Sequence, residues 1–169
     1  TYFYSKARKA IVELPHVKNR LVRIGIFNSS QVEVVNNTLS SLYYNPDMWV
    51  DLKGIDSESS NFRIGFVARN YTHKNLSILP MISSVLKSKF NLVVDFYVTL
   101  NEEEYLEQSV FFREQVKTVG EISVSQCPSF YKKMDAIIFP SLLECFSATP
   151  LEALAMRKPL FVSDRSFIR

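Results

Sequence analysis

Two carboxylates eight positions apart, Glu144 and Glu152, bracket the segment Cys145-Phe146-Ser147-Ala148-Thr149-Pro150-Leu151. An apolar run, Ala136-Ile137-Ile138-Phe139, precedes it and closes with Pro140-Ser141. A helix-like stretch, Leu151 to Met156, and a second apolar run, Leu160-Phe161-Val162, follow. The order is strand, loop, helix, strand, with both carboxylates at one end of a sheet. Open α/β sheets bind ligands there, outside the carboxyl ends of the strands. Thr149 suits an N-cap, Pro150 the first helical position, and Glu152 stands three residues after Thr149, which predicts a capping box. Glu152 then either reaches back to the Thr149 amide or faces a ligand. Glu144 lies just past a buried strand, and is either a solvated loop charge or a ligand group. The free amides at this helix start, with Phe146, Ser147 and Ala148 before it, suit a phosphate. A carboxylate beside phosphate is repelled, so a functional Glu144 or Glu152 should face the hydroxyls of a sugar or ribose.

A second loop of the same kind is Phe66-Val67-Ala68-Arg69-Asn70-Tyr71-Thr72-His73-Lys74-Asn75. Arg69 and Lys74 fall at the same sheet end as the carboxylates, where two cations can neutralise a diphosphate. His73 has no carboxylate or cysteine partner visible in the sequence and reads as a loop residue. Cys145 lacks a neighbouring base, which a nucleophilic cysteine requires. No G-x-G-x-x-G, P-loop or metal-ligand cluster is present.

These loops need a scaffold, and the chain alternates short apolar runs with amphipathic segments. Strands are expected at 63–68, 92–98, 116–119, 136–139 and 160–163. Helices are expected at 76–86, 102–114, 126–134 and 150–156. Leu79, Ile82, Val85 and Leu86 should form the buried face of the first of these helices. Such alternation implies an α/β fold: a parallel sheet with helices on both faces. Residues 1–36 read as a helix, with Ala7, Ala10, Ile11 and Leu14 at helical spacing before Pro15, and then a strand at Val32–Val35. The polar stretch 37–61, with Asn45-Pro46-Asp47 and Asp56 to Ser60, reads as a linker.

The 169 residues suffice for one domain with a core, and 47% hydrophobic with 22% charged residues is ordinary for a globular protein. The net charge of +3 is mild and its cations are scattered. That argues against a nucleic-acid partner and is compatible with an anionic ligand or a membrane surface. The two cysteines, Cys127 and Cys145, cannot build a disulfide framework or a closed zinc site, which fits a reducing, cytoplasmic setting. Neither Thr1-Tyr2-Phe3-Tyr4 nor Phe167-Ile168-Arg169 resembles a natural terminus, so a longer enzyme is expected.

Taken together, these segments resemble the C-terminal domain of a GT-B glycosyltransferase from the retaining family called glycosyl transferases group 1. The resemblance rests on Val34-Val35-Asn36-Asn37, on Phe66 to Asn75, on Gly120, Tyr131 and Asp135 to Ser141, and on Glu144 to Glu152 followed by Ala153, Ala155, Pro159, Ser163 and Asp164. It implies a Rossmann-like domain at 62–169, truncated at its C-terminus. Residues 37–61 would be the interdomain linker, and 1–36 the end of an otherwise missing N-terminal domain. It also implies a nucleotide-sugar donor and no cofactor. Arg69 and Lys74 would hold the donor diphosphate, Glu144 the sugar and Glu152 the ribose hydroxyls, with the amides of Phe146, Ser147, Ala148 and Thr149 close by. The implied activity is glycosyl transfer in polysaccharide or glycoconjugate synthesis, in the cytoplasm or at the inner face of the membrane. Three positions depart from the pattern by lacking the usual glycine: Ala68, Cys145 and Arg157. Two other readings stay open on the residues alone: a non-catalytic flavodoxin-like or receiver-like module, and a nucleotide-sugar epimerase of the same architecture.

Overall fold

A computed structural model describes residues 6–55 and 59–168. The expectations for Thr1 to Tyr4, for Asp56 to Glu58 and for Arg169 lie outside these. Among the described residues seven strands run in chain order: β1 (Ala10–Val12), β2 (Val32–Val34), β3 (Phe62–Phe66), β4 (Val94–Val98), β5 (Val116–Thr118), β6 (Ala136–Phe139) and β7 (Leu160–Val162). Strands β3 to β7 form one sheet in the order β5-β4-β3-β6-β7, and every pairing in it is parallel. This is the α/β, Rossmann-like architecture expected. The register sets Ile64 of β3 beside Phe96 of β4 and Ala136 of β6.

Among the described residues six α-helices accompany the strands: α1 (Pro15–Arg23), α2 (Ile78–Phe90), α3 (Glu102–Leu106), α4 (Val110–Gln115), α5 (Cys127–Lys133) and α6 (Thr149–Ala155). Strand side chains alternate between faces. Phe66, Phe96 and Val98 therefore enter a core with Leu79 of α2 and Phe112 of α4. Tyr97 and Ile137 enter a second core with Phe130 and Tyr131 of α5 and Ala153 of α6. The sheet is thus covered on both faces. Gly65 makes room for the second layer: a Cβ there would meet Met134 Cγ at 2.5 Å and Phe130 Cε1 at 2.8 Å. Strand β6 is buried throughout, as a central parallel strand should be.

Several expectations are corrected. Residues 10–12 are a strand parallel to β2, not the end of a helix. Pro15 starts α1 instead of closing a helix before it, because its fixed φ and missing N–H suit a first turn. The expected helix 102–114 breaks into α3 and α4, since the Ser109 hydroxyl accepts from the Phe112 amide at 3.1 Å and starts a new helix. Val85 of α2 is exposed, while Ser83 is buried with its hydroxyl 3.0 Å from Gln115 Oε1. Leu92 and Val93 precede β4 and are exposed. Within the polar stretch after Asn36, Tyr43 and Leu52 are buried in the second core, and Tyr43 meets Tyr131 edge to face at 6.1 Å between ring centroids.

Candidate functional site

The loops after β3, β5 and β6 converge at the carboxyl edge of the sheet. After β3, Ala68 is tied to β4: its amide donates to Thr99 Oγ1 at 3.0 Å, and that hydroxyl donates to the Ala68 carbonyl at 3.0 Å. Arg69 follows. Its Nε donates to both oxygens of Glu104, at 2.9 and 3.1 Å, and its Nη1 to Glu121 Oε1 at 2.7 Å. Glu104 is also fixed by its own helix start. Asn101 Oδ1 accepts from the Glu104 amide at 2.8 Å, and Glu104 Oε2 accepts from the Asn101 amide at 3.1 Å, a capping box. Burial works to raise the Glu104 carboxyl, but the Arg69 guanidinium and the Asn70 and Asn101 amides outweigh it and hold it below the ordinary glutamate range. The hydrogen bond to Glu104 in turn raises Arg69. Gly120, at φ +80°, makes the turn after β5 that precedes Glu121.

Lys74 ends the tight turn Thr72–Lys74, and Asn75 after it takes a left-handed conformation, φ 55°. Lys74 Nζ lies 2.7 Å from Glu144 Oε1, and the two side chains are only 15% and 10% exposed. The loops are joined directly as well. The Leu142 amide donates to the His73 carbonyl at 2.8 Å, and Asn75 Nδ2 to the Pro140 carbonyl at 3.3 Å. Glu144 is therefore not a solvated loop charge. His73, read from sequence as partnerless, stacks on Tyr71 and has its Nε2 4.0 Å from Glu144 Oε1.

Glu152 makes no capping box. Ala148 is the N-cap and already has helical angles, φ −72° and ψ −27°, so Thr149 lies inside α6, and no side chain caps the helix. The Glu152 amide makes an ordinary helical bond to the Ala148 carbonyl at 2.9 Å. Its carboxylate instead accepts from the Tyr131 hydroxyl at 2.7 Å. Burial, aided by the Glu152 charge, pushes the Cys127 thiol up to about 11, so it is not a thiolate at neutral pH.

A cavity of about 320 Å³ lies beside these groups, lined by Arg69, Tyr71, Lys74, Thr99, Glu121 and Cys127 among others. Phe146 and Ser147 line a different groove of about 540 Å³, with Leu151, Leu154, Leu160 and Val162. That groove is the larger but is mainly apolar, and the paired cations lie outside it. The structure thus gathers Arg69, Lys74 and Glu144, and places Phe146 and Ser147 apart from them. Sequence reasoning missed Glu104 and Glu121. Asn101-x-x-Glu104 is a visible capping pattern, but nothing in the sequence says which cation it faces. Among the described residues no cluster of His, Cys, Asp or Glu forms a metal site.

Residues 49–169 match the profile of the family described as Glycosyl transferases group 1. The chain belongs to that family. It is similar, at 24% identity over 153 residues, to the O-antigen chain mannosyltransferase RfbU of Salmonella typhimurium, a match covering 88% of this chain and 40% of that protein. Its fold is similar to that of a TarM mutant from S. aureus in complex with fondaparinux, alpha-GlcNAc-glycerol and UDP. That match has a TM-score of 0.65 and 14% identity, and covers 98% of this chain and 32% of that one. It is similar too to the catalytic domain of starch synthase IV from Arabidopsis thaliana bound to ADP and acarbose, with a TM-score of 0.64 and 15% identity over 92% of this chain and 39% of that one. The chain thus spans about 40% of the curated relative's length. Arg157, where the sequence resemblance leads to the expectation of a glycine, falls in the turn that closes α6. Arg157 has φ 55°, the left-handed region that favours glycine.

Proposed function

We propose that this chain is the donor-binding part of a retaining, metal-independent glycosyltransferase that uses a nucleotide-activated sugar. One observation carries the reading: in a member of this family, Arg69, Lys74 and Glu144 meet at the carboxyl edge of a parallel sheet, beside a cavity of about 320 Å³. Negative charge develops on the leaving diphosphate as the sugar departs. Arg69 and Lys74 are cations at the strand ends, placed to stabilise that charge electrostatically. Glu144 orients the sugar through its hydroxyls. Glu152, with one carboxylate oxygen held by Tyr131, presents acceptor capacity to the ribose hydroxyls. The neighbours bound to UDP and ADP support a nucleotide donor, and the O-antigen relative supports a hexosyl transfer in polysaccharide or glycoconjugate synthesis. The longer enzyme would supply the acceptor domain and work in the cytoplasm, peripherally on the membrane. Among the described residues no helix is long and apolar enough to cross a membrane.

The test is a binding panel on the full-length protein. Thermal shift with nucleotide sugars identifies the donor. Arg69→Ala with Lys74→Ala should then weaken the nucleoside diphosphate at least ten-fold more than the free nucleoside, two charge-assisted contacts each contributing about 1.5–3 kcal/mol. Equal binding by mutant and parent would place the diphosphate elsewhere. Transfer should persist in excess chelator, and its loss would show that a metal takes part.

A further inference from the structure

The two cations proposed to hold the diphosphate are not free to receive it. Arg69 is engaged by Glu104 and Glu121, and Lys74 by Glu144. Three carboxylates face two cations, so an incoming diphosphate meets a surface that is net negative at close range. Nε and Nη1 of Arg69 are both engaged, so a phosphate that takes Nη1 competes with the Glu121 carboxylate for it.

The geometry separates the two partners of Arg69. Glu104 accepts Nε through both oxygens, and also the Asn70 and Asn101 amides at 3.1 Å each, with a side chain 18% exposed. Moving it would break four hydrogen bonds and the start of α3. Glu121 touches Arg69 through one bond, Nη1 to Oε1 at 2.7 Å, and its side chain is 59% exposed. It also lines the cavity. Its bond takes Nη1, one of the two terminal nitrogens that Glu104 leaves to other anions. An exposed pair of this kind is weak and screened by salt.

We propose that Glu121 is an internal anion that occupies the diphosphate place on Arg69 and sets donor affinity by competing for it. Glu104 is the positioning residue that keeps Nε fixed and turns the remaining guanidinium edge to the cavity. Binding exchanges the Glu121 carboxylate for a phosphate and leaves the Glu104 contact in place. The same contact favours release of the nucleoside diphosphate after transfer, because Glu121 returns to Arg69 as the product leaves. This rests on the donor-binding reading of Arg69.

The experiment is calorimetric titration of the full-length protein with UDP, ADP and GDP, each with its free nucleoside as control. Glu121→Gln should tighten the nucleoside diphosphate roughly two- to five-fold and leave the nucleoside unchanged. Glu104→Gln should weaken the diphosphate about ten-fold, again sparing the nucleoside. In an Arg69→Ala background both effects should vanish, since each acts through that guanidinium. Donor KM should fall in Glu121→Gln, with acceptor KM unmoved. The inference is overturned if Glu121→Gln binds diphosphate no tighter while Arg69→Ala still weakens it. It is also overturned if the gain persists without Arg69, which would make Glu121 only part of a diffuse field. If Arg69→Ala leaves diphosphate affinity intact, the donor-binding reading itself fails and this inference with it.

Discussion

Glu144 and Glu152 carry the same charge in different company, and their variants should separate accordingly. The Glu144 side chain faces a Lys74 ammonium that is itself mostly shielded from water. Glu144→Gln keeps an acceptor oxygen but leaves that ammonium without its counter-charge. A loss of stability of about 1–2 kcal/mol is expected, read from urea unfolding, together with a strong fall in turnover. This stability cost is not visible in the sequence, where a carboxylate after a strand reads as a solvated loop charge. Glu152→Gln retains an acceptor for the Tyr131 hydroxyl, so its stability should drop by less than about 1 kcal/mol. Its donor affinity should still weaken if Glu152 is, as proposed, a charged acceptor for the ribose hydroxyls. A Glu152→Gln protein that is destabilised yet binds donor normally would confine Glu152 to holding Tyr131.

At the scale of elements, what the sequence showed and what it hid follow from how local each signal is. Strand β6 runs from Ala136 to Phe139, as expected, because a four-residue buried run bounded by Asp135 and Pro140 has no amphipathic alternative. The N-terminal segment misled because Ala7, Ala10, Ile11 and Leu14 satisfy helical spacing, whereas pairing with β2, over 20 residues away, decides the outcome. The capping box failed for a backbone reason: Ala148 was already helical. The site was legible in part. Arg69, Lys74 and Glu144 stand at strand ends that hydrophobic pattern locates. The carboxylates that bind the cations arrive from other loops, and only the fold pairs them. Arg157 offers an element-scale test. A non-glycine residue in the left-handed region is strained, and α6 ends there. Arg157→Gly should stabilise the protein by about 0.5–1 kcal/mol after the entropy cost of glycine, measured as a higher urea midpoint. An unchanged or lower midpoint would show that the Arg157 side chain contributes more than its backbone strain costs.

At the opposite end of the sheet from the site, Asp95 at the start of β4 links the segment before β3 to β5. It accepts from Ser59 Oγ at 2.7 Å and pairs with Lys117 Nζ at 3.1 Å. Burial works to raise its carboxyl, but the Ser59 and Lys117 hydrogen bonds prevail and hold it below the ordinary aspartate range. A carboxyl lowered in the folded state contributes stability above its unfolded pKa, about 3.9, and that contribution is lost as pH falls through the folded value. Asp95→Asn should therefore be less stable at neutral pH and lose less stability on acidification than the parent. Parallel urea midpoints at pH 7 and pH 3.5 would check this, and equal acid sensitivity in both proteins would assign the effect to other carboxyls.

The whole molecule sets the last expectation, which concerns what this chain does by itself. Glycosyl transfer needs donor and acceptor held together with water excluded, and most of the rate advantage of such a site comes from that positioning. Here Arg69 and Lys74, the groups proposed to hold the donor, line a cavity of about 320 Å³ at the open edge of one sheet. No second domain among the described residues covers them. The curated relative is more than twice as long as the stretch matched here. The 169-residue chain alone should therefore bind nucleoside diphosphate weakly and transfer no sugar, while the full-length protein does both. Donor affinity should rise with the longer chain because closure adds contacts to the half of the nucleotide sugar left exposed by this sheet edge. A radiolabelled-sugar assay on both proteins, with calorimetry for the diphosphate, distinguishes the cases. Measurable transfer by the short chain would mean that residues 1–36, expected from the sequence to be the end of another domain, already hold an acceptor against Glu144.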